Sequence, residues 1–453
     1  MTKAFRRHYW FLSGFFRKYH RVILSSLLFS IILGLITTRL FKALPKAKPL
    51  MLVGIIGSPA YNQIPPLVKQ LLNSGLTSTT VNLSIVPNLA DRWTVSDDGK
   101  LYTFYLKPDL TWTNSKPVKA EDISLNIPNV NFKTEDGAIV FTLPEKFAPF
   151  PSVLTLPLTD KNGRTASSYE VLLKQNSNGS LSQIILISKT RRIVFKFYPN
   201  PSQALTAFKL GQIDYLYNFP QLESTTNLNE YADLSPFVNY QQSLVLYFNH
   251  QDPLLKQKNL RQGIAYLLKD KEFGFTRSKG PISPLSWAFN PLVKNYDFDP
   301  QRAAKLLKES LPPDTKEINL ELATNSLYLP LAQKIKEQLD SESLKINIKV
   351  VSSKPDGFQL YLDLLDNPLD PDQYTFWHST HPGNIGRFTD VKLDKTLEDG
   401  RTTLDLSERK KIYAEFQRTF AEELPALFLL HPHYLTLSRK GYSFDIINLS
   451  QDP

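Results

Sequence analysis

The chain has 453 residues, 42% of them hydrophobic, with 32 Pro, 18 Gly and no Cys. That is enough for two or three domains with cores of their own, and it excludes disulfides and a lipidated cysteine. The net charge of +10 arises from 53 Lys plus Arg against 43 Asp plus Glu, but ten of the basic residues lie within residues 1–48 (Lys3, Arg6, Arg7, Arg17, Lys18, Arg21, Arg39, Lys42, Lys46 and Lys48) with no acid among them, leaving a formally neutral remainder and no case for a nucleic-acid-binding surface.

The first expected element is the apolar run Val22–Thr38, VILSSLLFSIILGLITT. As a helix it spans roughly 26 Å, close to a hydrocarbon core. Six of the ten basic residues precede it, so the positive-inside tendency places residues 1–21 in the cytoplasm, a single-pass signal anchor at 22–41 in the cell membrane, a Pro-stiffened linker at 42–49 and the remaining chain outside the cytoplasm. A cleaved signal peptide is the alternative.

Strand-like runs follow at Leu50–Ile56, Leu101–Lys107, Ile139–Leu143, Ile184–Ile187, Ile193–Phe197, Leu244–Asn249 and Ile346–Val351. Helical spacing marks Leu205–Leu210, Asn259–Lys269, Pro300–Ser310, Leu329–Leu339 and Ser407–Glu423, with Asp299-Pro300 an N-cap and N1 pair. The mixture indicates α/β lobes. Between Pro87 and Asp122 the sequence reads PNLADRWTVSDDGKLYTFYLKPDLTWTNSKPVKAED. Leu101, Thr103, Tyr105 and Lys107 alternate with Tyr102, Phe104 and Leu106, which predicts a strand covered on both faces, entered through a turn at Asp97-Asp98-Gly99.

Catalytic signals are missing: there is no cysteine nucleophile, G-x-S-x-G elbow, P-loop or G-x-G-x-x-G. His378 and His381 (H-S-T-H) and His431 and His433 (H-P-H) suggest metal ligands only superficially, because the first pair lacks an acidic third ligand at motif spacing. No catalytic residue, metal or cofactor is expected.

The run P-x-L-A-x-x-W-x-V-S-D-D-G, then Y-x-F-x-L-K, W and A-E-D, resembles the signature of the family-5 solute-binding proteins that serve ABC importers for oligopeptides and dipeptides. The resemblance covers about residues 50 to 445. It continues through Ser168-Tyr169-Glu170-Val171, Phe195–Tyr217, Leu246–Leu268 (LYFNHQDPLLKQKNLRQGIAYLL), Gly280–Pro284, Tyr296–Pro300, Asp370-Pro371-Asp372, Asn384, Asp394 and Arg409–Tyr413. It implies a two-lobed, periplasmic-binding-protein-like α/β fold of the type II, peptide-binding class, preceded here by one transmembrane helix. Lobe I is expected at 50–245 plus 430–453, and lobe II at 250–428. The short distance from Ala120-Glu121-Asp122 to the strand at Ile139 implies a reduced accessory subdomain at about 100–180.

The function implied is capture of a peptide between the lobes and its delivery to an ABC transporter permease. The alternatives are a degenerate solute-binding fold with a structural or sensory role at the envelope, and a non-peptide solute. Such proteins place an Asp before D-P-D for the peptide ammonium. Here Asp366 is the candidate, one residue further from Asp370 than usual, where Asn367 stands. Tyr374 and Trp377 are candidates to line side-chain pockets, and Asn384 is a polar candidate near the cleft.

Overall fold

The computed structural model describes residues 3–43, 50–60, 65–72, 74–125, 127–221 and 228–440. Most of the expected linker and the end of the expected lobe I segment, residues 441–453, lie outside them.

The chain separates into two compact units, Met1–Leu50 and Met51–Pro453. The first is a single continuous helix, Lys3–Ala43, 41 residues long, or about 61 Å at 1.5 Å per residue. The expected basic segment therefore does not precede the helix; it is the helix's first half. The stretch apolar and long enough to cross a membrane runs from Tyr9 to Leu35, further upstream than the apolar run alone indicates. Its large side chains are exposed, Phe11 at 75% and Leu28 at 60%, so the helix carries an extended apolar surface.

The second unit is built on two sheets covered on both faces. In the first sheet the strands lie in the order Glu170–Gln175, Leu181–Ile187, Arg192–Tyr198, Leu50–Ile56, Tyr215–Pro220, His433–Arg439, Ala232–Val238. Val53, Ile184, Leu186 and Phe195 are buried on one face beneath the helix Pro66–Leu72, and Leu216 and Leu437 on the other beneath Pro201–Lys209. That second helix starts where Asn200 accepts a bond from the Gln203 amide at 2.9 Å and Pro201 follows at the first helical position.

The second sheet orders Thr276–Arg277, Ala426–His431, Gln242–Phe248, Leu360–Asp366, Ile318–Thr324, Leu344–Val350. The helices Lys258–Leu267, Pro300–Glu309 and Leu329–Leu339 pack on one face around Leu244, Leu246, Leu320 and Leu362. Tyr374–Trp377, Val391–Thr402 and Leu406–Glu423 pack on the other, around Val245, Tyr247 and Phe428. Period-2 alternation sends consecutive residues of each strand into different cores, which is why these strands read as unbroken apolar runs.

Sheet membership corrects the expected lobe boundary at 245. The strand Gln242–Phe248 belongs entirely to the second sheet, so the first crossing between lobes falls at Asn239–Gln241. The second falls on one residue, Pro432, between Ala426–His431 of one sheet and His433–Arg439 of the other. Proline has no amide hydrogen to offer either ladder, and the chain changes sheets there.

The Pro87–Asp122 region forms a smaller sheet, Ala90–Val95, Leu101–Leu106, Ala138–Thr142, Asn131–Glu135. Its turn is as expected: Asp98 accepts from Ser96 Oγ at 2.6 Å and from the Lys100 amide at 3.0 Å, and Gly99 takes φ +69°. The strand is not covered on both faces, however. Tyr102 and Phe104 are buried while Leu101 is 39% exposed, because a four-stranded sheet with a single core has only one inside. Trp112 is buried in that core, and Trp93, half-buried at its edge, stacks on Phe104 at 5.7 Å.

Candidate functional site

Where the chain crosses between lobes, backbone pairing brings together two polar segments far apart in sequence. The antiparallel ladder pairs Ser243 with Leu365 and Gln242 with Asp366, and continues one step beyond the strands as the Asn367 amide donates to the Gln241 carbonyl at 2.7 Å. Each pair shares a face and alternates with the next. Gln242 and Asp366 therefore lie on one face, where Gln242 Nε2 donates to Asp366 Oδ1 at 2.7 Å. Gln241 and Asn367 lie on the other, with Ser243.

On the first of these faces, Tyr434 of lobe I donates its hydroxyl to Gln242 Oε1 at 2.7 Å, so one glutamine ties a lobe I strand to a lobe II carboxylate. Burial, with the negative charge of Asp366, raises the Tyr434 phenol above its usual range, which keeps it protonated as a donor. The Asp366 side chain itself is exposed. Further along the same strand, on the opposite face with Leu365 and Asn367, Asp363 accepts from Tyr361 Oη at 2.8 Å and Asn325 Nδ2 at 3.4 Å. Burial, with a contribution from Asp366, raises its pKa despite the Tyr361 bond.

On the opposite face Asn367 is 8% exposed. Its Nδ2 reaches Ser243 Oγ at 3.4 Å, and Ser243 pairs with Ser278 at 3.0 Å. Asn367 Oδ1 and both amide atoms of Gln241 are buried without a partner among the described residues. Such orphaned polar atoms cost about 1–3 kcal/mol each unless something external bonds them.

Ser243 and His431 come within 3.5 Å, yet they do not form a nucleophile and base. His431 Nδ1 must carry its proton to donate to the Gln242 carbonyl at 2.7 Å, so it has no lone pair for the serine hydroxyl, and Ser243 is fully buried. Among the described residues no three His, Cys, Asp or Glu side chains are placed to hold a metal ion.

The structure separates the remaining predicted residues from this edge. Trp377 is 2% exposed, stacks on Tyr247 at 6.0 Å and meets Phe420 edge-on at 4.7 Å; it is part of the lobe II core, not a pocket wall. Asn384 spends its amide on a loop, donating to the Phe388 and His378 carbonyls at 2.8 and 3.4 Å and accepting from the Phe388 amide. Tyr374 stacks on His378 at 4.0 Å and beneath the Arg401 guanidinium at 4.1 Å. Arg401 also covers Phe147 of the small-sheet region at 5.1 Å, and its carbonyl accepts from the Ala148 amide at 2.8 Å, so Tyr374 belongs to a clasp between that region and lobe II. Gln241, Gln242, Ser243 and Tyr434 were missed by sequence reasoning because nothing in a Gln-Gln-Ser run reveals which strand it will pair with.

The motif residues shared with solute-binding proteins are largely architectural. Asp370 forms a buried pair with Arg409, Asp372 pairs with Arg401 at 3.0 Å and accepts from the Tyr374 amide, and Arg261 donates to the carbonyls of Leu255, Glu423 and Leu424.

The sequence matches the bacterial extracellular solute-binding proteins, family 5, over residues 84–137 and 187–386. The dipeptide-binding protein of Escherichia coli is 22% identical, over 84% of this chain and 87% of its own. The oligopeptide-binding protein AppA of Bacillus subtilis, solved with a nonapeptide, superposes with TM-score 0.67 at 18% identity, over 89% of this chain and 99% of that one. NikZ of Campylobacter jejuni, solved with Ni(L-His), superposes with TM-score 0.69 at 22% identity, over 86% and 94%. The two covered sheets, joined by crossings at Asn239–Gln241 and Pro432, are thus the two lobes of a known architecture, and the chain belongs to the bacterial extracellular solute-binding proteins of family 5.

Proposed function

We propose that this protein captures peptides between its two lobes outside the cytoplasm and hands them to the permease of an ABC importer, tethered to the membrane by the helix Lys3–Ala43. The observation that carries the reading is the edge at the lobe crossing, where Asn367 and Gln241 bury amide atoms that no described residue bonds. A peptide backbone supplies alternating donors and acceptors, the complement such atoms need, and it does so whatever the side chains. Asp366 and Tyr434 border the same crossing from the opposite face and are assigned as flanking contacts. Peptide-binding relatives support the reading. The exposed apolar surface of the helix supports the tether.

Closure follows from differential affinity: a ligand bonded by both lobes favours the state in which they meet. The experiment is thermal unfolding of the full chain in detergent micelles with pooled di- to hexapeptides, half with free and half with N-acetylated amino termini. A ligand at about 100 times its dissociation constant adds about 2.7 kcal/mol. For a cooperative body of about 400 residues that is a rise of about 3 °C. No rise with either half would overturn peptide capture.

A further inference from the structure

Among the described residues, the charged side chains on or beside the crossing edge are already engaged: Asp363, on the face of Leu365 and Asn367, accepts from Tyr361 and Asn325, and Arg277 donates to the carbonyls of Ser278, Phe428 and Leu429. Asn367 and Gln241 are neutral amides on one face. The adjacent carboxylate, Asp366, lies on the other face of the ladder, is exposed, and is already bonded by Gln242. Ser243, Ser278 and His431, which lie behind Asn367, are buried, and burial, with the positive charge of Arg277 beside Ser278, lowers the His431 pKa, so that cluster offers an ammonium ion no negative charge. An ammonium ion brought here would lose its hydration and gain only neutral acceptors, an unfavourable exchange in a water-poor site.

A secondary amide fits without that loss. Its N–H can donate to Asn367 Oδ1 or Gln241 Oε1 and its carbonyl can accept from Gln241 Nε2, so one orphaned acceptor and the orphaned donor are used by groups of matching polarity. We infer that the Gln241–Asn367 edge takes an uncharged amide of the ligand, so that among peptides the protein selects those whose amino terminus is acylated over those with a free ammonium group. This inference rests on the reading of the protein as a peptide receptor and specifies which peptides.

The two halves of the peptide pool test it, applied separately to the full chain in micelles. The acetylated half is expected to raise the melting temperature at concentrations at least about tenfold lower than the free half, because an ammonium ion forfeits hydration that neutral acceptors do not restore. Asn367→Asp places a carboxylate at the edge and is expected to reverse the order, with free-amine peptides now the tighter ligands. The wild-type comparison decides even where the variant folds poorly. If free-amine peptides stabilise the wild type as well as or better than their acetylated counterparts, the inference fails while peptide capture stands; if neither half stabilises it, peptide capture fails and the inference falls with it.

Discussion

Removing the Arg409 guanidinium should destabilise lobe II more than any surface change. Arg409 Nη2 and Nη1 bind Asp370 Oδ1 and Oδ2 at 2.7 and 3.1 Å, and Nε donates to the Gly400 carbonyl at 2.9 Å. Both partners are buried, at 4% and 7% exposure. Burial by itself disfavours the cation, but Asp370 and Tyr413 more than offset this and the guanidinium pKa stands above its usual value. Arg409→Met retains the aliphatic stem and strands the Asp370 charge in a low-dielectric interior, at a cost of about 3–5 kcal/mol. Spread over a body of about 400 residues, this lowers the melting temperature by about 4–6 °C. Asp370→Leu in the same chain removes the stranded charge and should recover more than half of the loss, since what the single variant suffers is the unpaired ion rather than the missing pair. Urea denaturation of the two single variants and the double variant measures this directly. A loss below about 1 kcal/mol for Arg409→Met, or a double variant as unstable as the sum of the singles, would refute the reasoning.

His250 should give the protein a sensitivity to mild acid. Its Nε2 donates to the Pro425 carbonyl at 3.0 Å, and burial, with a smaller contribution from Arg261, lowers its pKa from 6.5 to about 4. The unfolded chain therefore takes up the proton first: the stabilisation is complete above pH 6.5 and falls by about 1.4 kcal/mol per pH unit toward pH 4, about 3 kcal/mol in all. His250→Gln should flatten that part of the stability profile measured by chemical denaturation, and an unchanged slope would count against the assignment. Asp299→Ala removes the side-chain cap on the Arg302 amide and should cost about 1 kcal/mol in the same assay; no change would mean the helix start is held by other contacts. Gly99→Ala meets both a positive φ and a Lys146 methylene 2.5 Å from the new methyl group, so a loss of roughly 1–2 kcal/mol is expected, and a neutral result would show the turn can re-form. Arg401→Ala opens the clasp between Phe147 and Tyr374, and hydrogen exchange should quicken at the Ala148 amide while the sheet of lobe I keeps its protection.

The sequence by itself determined what depends on neighbours a few residues apart. Leu50–Ile56 and Leu329–Leu339 form as the apolar pattern predicts. The turn at Gly99 and the cap at Asp299 follow from single side chains bonding their own backbone, and the family is legible because motif residues such as Arg261, Asp370 and Arg409 are required by the fold itself. Trp377 and Asn384 looked like site residues because aromatic and amide groups serve cores and loops as readily as ligands, and only packing separates those uses. The N-terminal helix extends through its basic half because helical propensity does not stop where hydrophobicity does.

What the tertiary structure alone decided is which distant residues share a face. Gln241 meets Asn367 across 126 positions because a ladder that begins at Phe248 and Leu360 carries its register through to the crossing. A shift of that register by one residue would bring Asp366 to the orphaned face and give the site a charge. Local sequence does not encode register; it is set by the two cores that the alternate side chains of each strand must fill.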